Sequence, residues 1–238
     1  MKSHNRFASG VLAALLVGAM SAGASTVNYE FGQLSGGTAP DGNPPWLEAV
    51  ITDNGQPANT VQMTVSAGNL TGNEFVGCWY FNLNPALDPT GLSFSVSGST
   101  GTFSDPTIQT GANGFKAGQD GKFDMLLGFN TGSDASAHFG AGDSVTFTIT
   151  GITGLTADDF DWLSTPAGGS GLYSSAAHIE GITDDGASAW INPTSTLLQN
   201  SAAERGVPDG AATISLLGAS LLAIEGLRRT LQKRSAAH

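Results

Sequence analysis

Between Asp143 and Thr150 the chain alternates without a break. Val145, Phe147 and Ile149 fall on one side, Ser144, Thr146, Thr148 and Thr150 on the other, and Gly142 and Gly151 bracket the run. A period of two places these residues on opposite faces of a strand, one buried and one wet, whereas a helix would scatter them around its axis. The same pattern sets Val61, Met63 and Val65 against Gln62, Thr64 and Ser66, and Leu92, Phe94 and Val96 against Ser93, Ser95 and Ser97. Lys122–Asn130 repeats it with Phe123, Met125, Leu127 and Phe129, and Trp46–Thr52 and Val27–Phe31 are weaker versions. Phe75–Leu83 differs: Phe75, Trp79, Phe81 and Leu83 share one face and Val76, Cys78 and Tyr80 the other. A strand apolar on both faces belongs in the middle of a sheet or beneath a loop.

Turn chemistry separates these runs. Gly36–Gly37, Asp41–Gly42–Asn43–Pro44–Pro45, Asn54–Gly55–Gln56–Pro57, Asp120–Gly121 and Gly168–Gly169–Ser170–Gly171 supply positive φ and preset turn entries. Many short strands with frequent turns predict an all-β chain, an antiparallel β-sandwich of jelly-roll-like character. Thr156–Phe160 is the one helix-start pattern, a Thr cap followed by Asp158 and Asp159.

The two ends read differently. Lys2 and Arg6 precede the apolar segment Phe7–Met20, and Ala22–Gly23–Ala24 supplies small residues for a signal peptidase, so residues 1–24 read as a signal peptide cut after Ala24. Residues 25–195 form the β-domain, 196–206 a small, polar tether, and 207–234 a tripartite C-terminal stretch. In that stretch Val207–Pro208–Asp209–Gly210 blocks helix extension, the apolar helix 211–227 is near the ~17-residue lower limit for spanning a bilayer, and the basic tail 228–234 begins at Arg228–Arg229. Basic residues beside an apolar helix stay on the cytoplasmic side, which puts the β-domain across the membrane. Of 9 Lys and Arg, only Lys116, Lys122 and Arg205 lie outside the two end segments, against 20 Asp and Glu in the whole chain. So acidic a body repels nucleic acid and anionic lipid, and suits a solvated surface, a cation or a basic partner.

The order Val207–Pro208–Asp209–Gly210, apolar helix, Arg228–Arg229 resembles the sorting signal of PEP-CTERM proteins, in the variant with Val-Pro-Asp. Gly154–Phe160, Ala176–Ile182 and Ala189–Trp190–Ile191 resemble the β-rich ectodomain common in that class. The resemblance implies export by the general secretory machinery across the inner membrane of a Gram-negative-type bacterium. It further implies transient membrane anchoring through the C-terminal helix, cleavage by an exosortase, and residence at the cell surface or in an extracellular polysaccharide matrix or biofilm. Glu225 departs from a wholly apolar anchor, which weakens a permanent anchor more than a transient signal.

Residues suited to chemistry are sparse. Cys78 is the only cysteine, so an internal disulfide is excluded, and its apolar strand suits an inert core thiol. His178 and Glu180 share a strand face and suit a structural pair, a metal site or an acid–base couple. No Gly-x-Ser-x-Gly elbow or His-Glu-x-x-His motif occurs. The expectation is therefore a protein that is not an enzyme and holds no cofactor. Calcium is the one metal its loops would suit, at Asp158, Asp159 and Asp161, with Asp184–Asp185 in a second loop; both groups also suit helix-start and turn roles. Two other functions stay open: a secreted carbohydrate-binding module using Trp46, Trp162 and Tyr173, and a secreted hydrolase using His178, Glu180 and further carboxylates.

Overall fold

The computed structural model describes residues 24–169, 171–183 and 186–194. Residues 1–23, Asp184 and Asp185, the tether and the whole sorting signal, from Val207 through Arg228 and Arg229, lie outside the described residues. Among the described residues there are eleven strands: β1 Thr26–Gly37, β2 Leu47–Thr52, β3 Val61–Ser66, β4 Phe75–Phe81, β5 Ser93–Thr100, β6 Thr107–Lys116, β7 Lys122–Gly128, β8 Phe139–Gly140, β9 Ser144–Thr150, β10 Ser175–Ile182 and β11 Ala187–Pro193. Among the described residues no helix is long and apolar enough to cross a membrane.

Alternation sets the register. β3 and β9 pair Val61 with Ile149, Met63 with Phe147 and Val65 with Val145, all fully buried, while Thr64 and Thr146 meet on the other face through hydroxyls 2.9 Å apart. A one-residue slip would put every one of these apolar groups in water. Every named strand pairing is antiparallel, and the hydrogen-bonded path runs β5-β9-β3-β2-β1-β11-β10-β4-β7-β6, with β8 attached to β4. The all-β antiparallel expectation is therefore met. The strands do not divide into two hydrogen-bonded sheets, because β1 pairs with both β2 and β11 and so joins the two halves of the path into one. One sheet curls around the core until its ends, β5 and β6, nearly meet. Between them lies an open seam of about 370 Å³, lined by Leu92, Phe94 and Val96 on one side and Pro106 and Ile108 on the other, with Phe147 at its floor.

β4 is central, as its two-sided apolar pattern predicts, but its alternation is broken. His178 faces Cys78, and the next residue, Ile179, faces Val76, so Gly77 is an extra residue in a β-bulge. The bulge turns Val76 inward beside Trp79 and Phe81, rather than outward with Cys78 and Tyr80 as strict alternation predicts. A Cβ at Gly77 would collide with the Glu180 carboxylate, so a side chain there requires Glu180 to move. Trp79, Phe81, Phe31, Phe139 and Phe147 fill the interior with no exposed surface, and Phe31 packs edge-on against Trp79 at 4.9 Å.

Candidate functional site: the outer face of β4, β10 and β11

A second, smaller apolar cluster lies on the outside of the curled sheet. Tyr80, Phe123, Ala117 and Ala176 are buried there, with Cys78, Tyr173 and Trp190 packed at its margin. It exists because β4 and its neighbour β10 carry apolar residues on both faces and the β6–β7 turn folds over them. That turn, Ala117–Gly121, closes with the Ala117 N–H donating to Gly121 O at 3.1 Å, and Gly121 takes φ +113, a left-handed conformation that favours glycine. Gly118 lies against the Trp190 indole, where a Cβ would come within about 3.0 Å of the ring.

Three sets of polar groups rim this cluster. His178 Nδ1 lies 3.4 Å from Glu180 Oε1, and its ring packs on Trp190 at 4.7 Å. Cys78, directly across from His178 in the ladder, donates its thiol to Tyr80 Oη at 3.3 Å. Burial pushes the Cys78 thiol up, and the hydrogen bond to Tyr80 only partly offsets this, so at neutral pH it is a thiol rather than a nucleophilic thiolate. The Tyr80 hydroxyl is likewise raised, first by burial and then by Cys78.

Asp120, in the β6–β7 turn, is 3 % exposed. It accepts a hydrogen bond from Ser35 Oγ at 2.8 Å, and Ser35 is itself an extra residue in a bulge of β1 opposite β11. Burial raises the Asp120 carboxyl above the ordinary carboxylate range, while hydrogen bonds from Ser35 and Asn192 pull it back. Desolvation, with a smaller contribution from the Asp120 charge, also raises Tyr173. A sequence reading sees only a turn in Asp120–Gly121; nothing local signals that the turn would bury its carboxylate. The geometry offers a His–Glu acid–base pair, a buried carboxyl that favours its proton, and half-covered aromatic rings.

No family model matches the chain, and neither a curated protein nor a solved structure is significantly similar to it.

The remaining sequence candidates disperse. Asp158, Asp159 and Asp161 sit on the short helical turn Ala157–Phe160 and just after it. Both Asp159 oxygens are used locally: Oδ2 accepts from the Thr156 N–H at 2.9 Å and hydroxyl at 3.0 Å, and Oδ1 from Asn84 Nδ2 at 3.0 Å. This is the helix-start role. Among the described residues no three His, Cys, Asp or Glu side chains are grouped so as to hold a metal ion. Glu74 is buried but accepts from the backbone N–H groups of Asp41 and Thr71 at 2.6 and 2.7 Å. Trp46 is a core residue, its indole donating to Gly42 O at 2.6 Å, and Trp162 is half-buried; of the three proposed sugar-stacking aromatics only Tyr173 joins the outer cluster. Ala24, the last residue of the expected signal segment, is exposed two residues before β1 begins.

Proposed function

We propose that this chain is an exported, non-enzymatic surface or extracellular-matrix protein, sorted and cut by an exosortase through its C-terminal stretch. The observation that carries the reading is the three-part order of Val207–Pro208–Asp209–Gly210, the apolar run Ala211–Leu227 and Arg228–Arg229, similar to the PEP-CTERM signal in type and order. The signal segment ending at Ala24 supports it, because a chain cut at one end and held at the other leaves its body outside the inner membrane. The acidic composition of that body, with Lys116 and Lys122 its only Lys or Arg before the tether, suits a hydrated polysaccharide matrix better than a nucleic acid or an anionic bilayer. The protonated Cys78 thiol supports a structural rather than nucleophilic role for that residue. We take the curled sheet as a flattened, sandwich-like display domain that needs no cofactor.

The test replaces Val207, Pro208 and Asp209 with alanine in a host that carries an exosortase. The expected outcome is an uncut precursor that stays in the membrane fraction. Processing and location identical to the wild type would refute the sorting role.

A further inference from the structure

Ser25 is tied into the fold by every polar atom it has. Its backbone N–H donates to Asp53 Oδ1 at 2.6 Å and its hydroxyl to Asp53 Oδ2 at 3.3 Å. Its carbonyl accepts from the Asp53 N–H at 3.2 Å and from Thr52 Oγ1 at 3.0 Å. Ala24, one residue earlier, is exposed at the rim of an open cleft that Asp53 also lines. The Asp53 carboxylate reaches further: Oδ2 accepts from the Ala157 N–H at 3.0 Å, which joins the end of β2 to the helical turn Ala157–Phe160. Asp53 therefore collects three donors from two distant parts of the chain, all of them neutral. Among the described residues the one His, Lys or Arg side chain within ion-pair distance of a carboxylate is His178, beside Glu180, so Asp53 meets no cationic side chain.

We infer that Asp53 is the receptor for the new N-terminus made when the signal segment is removed after Ala24, so that maturation turns a neutral hydrogen bond into a buried-edge ion pair. The inference rests on the export reading above. Signal peptidase adds water across the Ala24–Ser25 amide: the carbonyl carbon leaves with Ala24 as a carboxylate, and the nitrogen stays on Ser25 and takes up a proton. That ammonium is then already at bonding distance from a carboxylate, with no movement of the chain required. In a body so poor in cations an added positive charge also relieves acidic self-repulsion. Cleavage one residue later would remove Ser25 and with it the contacts to Asp53 and Thr52. Cleavage well before Ala24 would hold the charge away from Asp53. The structure thus selects the bond that the small residues Ala22–Gly23–Ala24 allow.

The test uses the full chain exported by a bacterial host and purified in detergent. Mild periodate, which converts an N-terminal serine bearing a free amine to an aldehyde, followed by mass analysis of the N-terminal peptide, reports whether Ser25 is the terminus. On a separate portion that has not met periodate, an acylating reagent at neutral pH reads the reactivity of that amine, with Lys116 and Lys122 as internal standards. The expected result is a Ser25 terminus whose amine is acylated about tenfold more slowly in the folded protein than in urea, the scale on which an opposite charge at contact distance acts on an amine. In Asp53→Asn the folded protein should lose that protection. Should Asp53→Asn fail to fold, the folded-to-urea ratio of the wild type decides alone. A Ser25 amine that reacts equally fast folded and in urea overturns the inference and leaves the cleavage reading standing. A terminus elsewhere overturns both the inference and the position of the cut, while export itself is judged by whether any cleaved form appears.

Discussion

Single residues in this protein are repurposed by packing. Asp120 is the clearest case: an ordinary turn aspartate becomes a buried carboxyl because the turn lies down on Trp190 and beneath Ser35. Its raised native pKa has a definite sign. The native state keeps the Asp120 proton at a pH where the unfolded chain has released it, so this group's stabilisation is complete below the ordinary carboxylate value and is lost as pH rises through the raised native one. Asp120→Asn removes that dependence while keeping an acceptor for Ser35. Melting temperatures of the two proteins at pH 4 and pH 7 should show the variant gaining on the wild type as pH rises. A constant difference would contradict the assignment. Exposed Asp88 and Asp134 are lowered, chiefly by hydrogen bonds from Thr90 and Ser136, and tilt the curve the other way, but they do so equally in both proteins.

Whole elements were legible where their chemistry is local. β3, β7 and β9 announce themselves by alternation between glycines, and their observed bounds lie within a few residues of the expected ones. β6 was not legible: Thr107–Lys116 carries Gly111 and Gly114 and polar residues on both faces, because an edge strand needs no continuous apolar side. Nor was the bulge at Gly77, which arises only where β4 pairs with β10, about a hundred residues away in sequence. The helix start at Thr156 is legible from its cap, and the structure places the Asp159 carboxylate on the Thr156 N–H and hydroxyl. Asp159→Ala leaves the Thr156 N–H and Asn84 without an acceptor, and urea denaturation should show a loss of about 1–2 kcal/mol. The same denaturation with EDTA in place of calcium is expected to give an unchanged midpoint.

At the scale of the whole molecule the sheet has a closed back and an open front. Phe147 belongs to both, since it is fully buried in the core and also floors the seam between β5 and β6, while Val96 on the seam's edge is 45 % exposed. The two should therefore respond very differently to truncation. Phe147→Ala is expected to cost about 3–5 kcal/mol, as large aromatic deletions in packed cores do. Val96→Thr should stay within about 0.5 kcal/mol, and a large loss there would mean the seam is closed in solution. The outer cluster and the buried Asp120 could not be foreseen, because they arise where a turn from one hairpin covers strands from another. Local periodicity carries no record of that meeting.

The pairing of β1 with β11 sets when this molecule can fold as well as what it becomes. Phe31 is partnered by Pro193, so the first strand completes one side of its ladder only when the last strand exists. Joining segments so far apart demands loop closure before any reward, which slows folding. If the chain crosses the inner membrane unfolded, as the proposed export by the general secretory machinery requires, that delay is useful. β1 cannot be sealed against β11 while β11 is still being synthesised, so under the proposed export a precursor would meet the membrane in a state that can be threaded.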